Sequence, residues 1–152
     1  MKKFFVIGNK TSKSLSPIIF NYWFKKYKIN ATYSYIETTN KNFNKIVKST
    51  LQDPNTFGLN ITIPFKKNII KHCDIQNTHS KKIGAVNCVT IGKKIKGTNT
   101  DWVGFLNSIN YKKIDKKTNI VILGYGWAAQ AICYGLFLKG FKNIAVFNRS
   151  KK

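Results

Sequence analysis

The chain has 152 residues, 43% of them hydrophobic and 14% aromatic, enough for a sizeable buried core, which excludes a mainly disordered or collagen-like polypeptide. Lysine and arginine total 27 against five acids, for a net charge of +22; with so few carboxylates, neither an oxygen-rich metal site nor a glycosidase-type carboxylate pair is expected. The excess is lysine in 26 of 27 cases, and asparagine (17) and isoleucine (20) are inflated with it, a pattern of A/T-rich codon usage. A nucleic-acid binder would favour arginine, so no nucleic-acid partner is expected.

In chain order, residues 4–7 read as a first buried strand, followed by a polar loop over 8–16. Ile18, Ile19, Tyr22, Trp23 and Tyr27 then recur at helix spacing, with Ser16 as the expected cap and Pro17 in the first turn. A strand over 33–37 and a helix marked by Phe43, Ile46, Val47 and Leu51 come next. Leu59, Ile61 and Ile63 alternate with Asn60 and Thr62, a third strand with one polar face, and a short helix follows Pro64. Segments 86–91 and 94–98 flank Gly92-Lys93 as a hairpin, and Trp102, Phe105, Leu106 and Ile109 mark a helix beginning near Thr100-Asp101.

Residues 112–117 are charged and lack apolar periodicity, as a linker would. Beyond them the pattern restarts as strand 120–123, a glycine turn, helix 128–139 closed by Gly140, and strand 144–147, a single βαβ unit. The expected fold is therefore α/β: a three-layer amino-terminal substrate domain (1–111) with a mostly parallel sheet, then an incomplete Rossmann-like βαβ unit (118–152). One such unit leaves its sheet open, so the sequence is expected to be cut short. The four apolar residues before Gly8 are too few for a signal-peptide core, and no run approaches a membrane span. Cys73, Cys88 and Cys133 show no Cys-x-x-Cys spacing, and together these features point to a cytoplasmic protein with no membrane partner.

The sharpest local signal is Gly124-Tyr125-Gly126-Trp127-Ala128-Ala129 between strand and helix. The first glycine suits a tight turn, the second lets a phosphate approach the backbone, and the helix amino terminus offers N–H groups and a positive dipole end. After the next strand stands Asn148-Arg149-Ser150, with no carboxylate for a ribose diol; Arg149 suits a 2′-phosphate, which favours NADP over NAD. Four further polar islands fall at strand ends or helix starts: 12–17, 60–66, 84–87 and 97–101.

Taken in order, these segments resemble shikimate dehydrogenases. The resemblance rests on Ser14-Leu15-Ser16-Pro17, Asn60-Ile61-Thr62-Ile63-Pro64-Phe65-Lys66, Gly84-Ala85-Val86-Asn87-Cys88, Asn99-Thr100-Asp101-Trp102-Val103-Gly104 and the glycine turn. It implies reversible NADP-linked reduction of 3-dehydroshikimate to shikimate, a step towards chorismate and the aromatic amino acids. Quinate/shikimate dehydrogenase and a non-catalytic remnant that binds shikimate or a nucleotide are the alternatives. By motif position Ser14 and Ser16 hold the substrate carboxylate, while Thr62, Asn87 and Asp101 bind ring hydroxyls with Asn60 in support. Lys66 is then the acid/base group, paired with Asp101. Gly124, Tyr125, Gly126, Trp127, Ala128, Asn148, Arg149 and Ser150 hold the cofactor, no metal is implied, and a homodimer is left open. The chemistry agrees: a ketone gaining alkoxide character needs a proton donor within hydrogen-bond reach, which an ammonium beside a carboxylate supplies. The chain departs from the family pattern at Cys88, where threonine is usual, and at Tyr125 and Trp127, where small residues are.

Overall fold

In a computed structural model that describes residues 1–149, the chain forms two sheets flanked by helices. Strands β1 (Lys2–Gly8), β2 (Ala31–Glu37), β3 (Thr56–Ile61), β4 (Ile75–Gln76), β5 (Cys88–Thr90) and β6 (Lys96–Thr98) make a six-stranded sheet in the order β2-β1-β3-β5-β6-β4. β1 runs parallel to β2 and β3, and β4 parallel to β6, whereas β5 is antiparallel to both its neighbours. The smaller sheet pairs β7 (Ile120–Leu123) with β8 (Ile144–Phe147) in parallel, joined through helix α5 (Trp127–Leu138).

This topology gathers the polar segments. Parallel β1, β2 and β3 end at one edge of the sheet, and antiparallel β5 begins there, with Cys88 opposite Asn60. Thr98 at the end of β6 lies opposite Cys88, so the loops after β1, β3 and β6 and the residue before β5 share one rim.

Helix α1 (Ser16–Lys26) covers one sheet face through Phe24 on Phe4 and Phe20 stacked on Tyr33. The opposite face carries the main core, where Ile7, Leu59, Ile61 and Val89 meet Phe43 and Val47 of α2 (Phe43–Gln52) together with Phe65 and Ile69. The helix after Pro64 is a 3₁₀ turn, Asn68–His72, and the Ile63–Pro64 peptide is cis. Hairpin strands β5 and β6 are shorter than their sequence pattern, which leaves a five-residue connection over 91–95 rather than a two-residue turn. Helix α3 (Thr78–Ile83) was not expected; Asn77 caps it by accepting the Ser80 N–H, and Gly84 closes it at φ 73°. Ser16 does not cap α1. It is the first helical residue, Leu15 stands at the cap position without a side-chain capping bond, and the Ser16 N–H donates to Ser14 Oγ at 3.2 Å.

Helix α4 (Asp101–Ser108) follows β6 and packs on α5, where a side chain at Gly135 would stand 3.3 Å from the Trp102 carbonyl oxygen. Leu106, Leu136 and Phe141 close that junction over Ile120, Ile122 and Ile144. The stacked pair Phe43–Phe65, centroids 4.2 Å apart and both fully buried, ties α2 to the segment that carries Lys66. Phe65→Ala is expected to cost about 3–5 kcal/mol in a denaturant titration, and a loss under 1 kcal/mol contradicts this packing.

Candidate active site

A cavity of about 400 Å³ opens at the shared rim, with Ser14, Ser16, Asn60, Thr62, Asn87 and the Lys66–Asp101 pair all in its wall. Lys66 Nζ lies 2.7 Å from Asp101 Oδ2, and the side chains are 11% and 25% exposed. Each end is fixed by its neighbours. Phe65 is sunk in the core, and the Lys66 carbonyl accepts the Val86 N–H at 2.8 Å. Asp101 is the first residue of α4; its N–H donates to Asn99 Oδ1, and its second oxygen accepts from Asn87 Nδ2 at 2.7 Å. Asn87 Oδ1 in turn accepts the Thr100 N–H at 2.9 Å. One asparagine thus sets the carboxylate's rotation and leaves the ammonium facing the cavity.

On the α1 side, Tyr33 donates its hydroxyl to Asn60 Oδ1 at 2.7 Å, and Asn60 Nδ2 reaches the Asn87 carbonyl at 3.4 Å. Burial pushes the Tyr33 hydroxyl up to about 12, with Ser16 beside it pulling the other way. The sequence reading placed Tyr33 in a strand and gave it no role. The same holds for Lys10 and Thr11, which also line the cavity. Their signal was position alone, between a strand end and the serine motif. Thr11 is buried and donates its hydroxyl to the Ile36 carbonyl.

The glycine turn lies outside this cavity wall. Gly124 has φ +93°, Gly126 is the residue before α5, and the space where a side chain at either would project is open. Tyr125 N–H donates to Asn148 Oδ1 at 3.2 Å, joining the turn to the end of β8. The Trp127 ring, where the family usually has a small residue, packs with Ile83, Ala85 and Ala131, beside Trp102 and Tyr134. His79 Nδ1 and the Tyr134 hydroxyl are 2.8 Å apart, so aromatic rings fill the seam between α3, α4 and α5. Ala128 is exposed in the first turn of α5, Arg149 is exposed after β8, and Ser150 lies outside the described residues.

The three cysteines are free and half-buried, and burial pushes Cys73 up to about 11. Among the described residues no three His, Cys, Asp or Glu side chains stand close enough to hold a metal, and no helix is long and apolar enough to cross a membrane.

A mostly parallel α/β sheet with a polar, ion-paired rim cavity defines a small-molecule site of the open-sheet class. Residues 6–89 match the family model described as the shikimate dehydrogenase substrate binding domain, and the chain belongs to that family. It is 38% identical over 153 residues to the shikimate dehydrogenase (NADP(+)) of Caldicellulosiruptor saccharolyticus, an alignment covering 99% of this chain and 55% of that one. The crystal structure of shikimate dehydrogenase from Aquifex aeolicus superposes with a TM-score of 0.91 at 34% identity, over 100% of this chain and 57% of that one. The structure from Thermotoga maritima gives 0.87 at 35% identity, over 97% and 55%. The chain therefore spans a little over half the length of these relatives.

A raised tyrosine pKa binds its proton more tightly in the folded state. Its stabilisation is present below the unfolded value near pH 10 and is lost as pH rises through about 12. Ultraviolet titration is expected to show one of the seven tyrosines ionising late, and Tyr33→Phe is expected to remove that late step. A late step that survives the substitution contradicts the assignment.

Proposed function

We propose that this chain is the substrate-binding part, with the opening of the cofactor-binding part, of an NADP-dependent shikimate dehydrogenase that interconverts 3-dehydroshikimate and shikimate. The observation that carries this reading is the Lys66–Asp101 pair at 2.7 Å within the cavity that also holds both serines of the amino-terminal motif. Residues 1–111 form the substrate domain and 118–152 the start of a Rossmann-like domain, joined by the charged segment 112–117.

Ser14 and Ser16 hydrogen-bond the substrate carboxylate; Thr62, Asn87 and Asp101 hold ring hydroxyls, with Asn60 in support. In the reducing direction Lys66 delivers a proton to the oxygen that was the ketone, and in the oxidising direction it takes the hydroxyl proton back. Asp101 keeps the ammonium aimed at that oxygen, and Asn87 keeps Asp101 in place. NADP, when bound, supplies the hydride chemistry. Gly124, Tyr125, Gly126, Trp127 and Ala128 form its pyrophosphate turn, a role supported by the open space before both glycines. Asn148, Arg149 and Ser150 form its 2′-phosphate side. The reading places the enzyme in the cytoplasm, on the route to chorismate. A homodimer belongs to the same reading.

Titration calorimetry is expected to show shikimate binding to this chain, weakened about tenfold or more by Lys66→Ala and by Asp101→Ala, as for loss of a charge-assisted hydrogen bond. No binding by the parent chain overturns the reading. In the whole enzyme of which this chain is a part, formation of NADPH from shikimate and NADP⁺ is expected to fall by about 10²–10⁴ in Lys66→Ala. Arg149→Ala is expected to weaken NADP⁺ by about tenfold while leaving NAD⁺ within about twofold; equal loss for both cofactors contradicts the 2′-phosphate assignment.

A further inference from the structure

We infer that the Lys10 ammonium is the counter-charge for the substrate carboxylate, a specificity-determining contact added to the two serine hydroxyls. The inference rests on the proposed shikimate site and deepens it.

The charges around the cavity make the argument. Lys66 and Asp101 cancel each other, and Ser14, Ser16, Thr62 and Asn87 are neutral. Hydroxyls donate hydrogen bonds to a carboxylate but leave its charge unbalanced as water is displaced. Lys10 lines the same cavity and takes part in neither ion pair found among the described residues, Lys3–Asp53 and Lys66–Asp101. It brings the lining to a net charge of one positive unit, which matches a monocarboxylate.

The backbone beside Lys10 is anchored on both sides. The Asn9 N–H donates to the Ile63 carbonyl at 3.2 Å, and the Thr11 carbonyl accepts the Ser14 N–H at 2.9 Å. The root of the lysine is therefore held one turn from the serine pair, while its exposed side chain keeps the freedom to reach a ligand. Glu37 is the rival acid. Its carboxyl is held below the usual range chiefly by the Ser12 N–H, which it accepts at 2.8 Å, and only weakly by the Lys10 charge, which acts on it without forming an ion pair. Lys13, on the same loop, is exposed and does not line the cavity. In a chain of net charge +22 it reports what the general field contributes.

The test is calorimetry on the full chain with shikimate and with its uncharged methyl ester. Lys10→Met is expected to weaken shikimate about five- to tenfold and leave the ester within about twofold, while Lys10→Arg retains shikimate binding. Lys13→Met removes the same charge and is expected to change shikimate by less than about twofold. Equal losses for acid and ester overturn the inference, as does an equal effect of Lys13→Met. Shikimate binding by the parent that Lys10→Met leaves unchanged overturns this inference alone. No shikimate binding by the parent overturns the proposed function and this inference with it.

Discussion

The contact between Lys66 and Asp101 is the constraint on which the site depends. Two opposite charges, mostly withdrawn from water, are stable together only when geometry and further hydrogen bonds offset their lost hydration. Both requirements are met by backbone already committed elsewhere. Phe65 sits in the core, the Lys66 carbonyl is bonded to Val86, and Asp101 begins a helix whose loop is threaded through Asn87 and Asn99. The pair is therefore a consequence of sheet topology. The antiparallel turnaround of β5 and β6 brings residue 101 back to the rim where the loop after β3 carries residue 66. A shift of either segment would leave one buried charge without its partner.

A second set of contacts joins the two sheets. Trp127 follows the second glycine of the turn and packs on Ile83 and Ala85, just before the Asn87 that orients Asp101. Trp102, next to Asp101, rests against His79 and Tyr134. The first turn of α5 and the acidic end of the site are thus linked through large rigid rings. Aromatic side chains suit such a seam because they cover much area with few rotatable bonds.

Much of this was legible in the residues themselves. Alternation and helix spacing located β1, β2, β3, α2, α4 and the βαβ unit, because each buries one face and its period follows that face. The serine, asparagine, lysine and aspartate positions stood out because polar residues interrupt apolar runs at strand ends. What escaped notice is as informative. α3 is short, and its amphipathic signal is weak; Asn77 and Gly84 mark its ends, and only their capping geometry shows it. Tyr33 has the pattern of an ordinary strand residue, and only the tertiary fold puts its hydroxyl on Asn60. Trp127 looked out of place in a glycine turn because its partners lie some forty residues earlier in the chain.

By itself the sequence determined the α/β class, the positions of the elements and the identity of the polar groups, since periodicity and turn chemistry are local properties. Which of those groups meet was decided only in three dimensions. Strand order and direction bring segments from residues 14, 66, 87 and 101 to one rim, and the packing of α5 sets Trp127 against Ile83, Ala85 and Ala131. The physical reason is that a hydrogen bond or ion pair depends on distances of a few ångströms, which the pairing of distant strands sets.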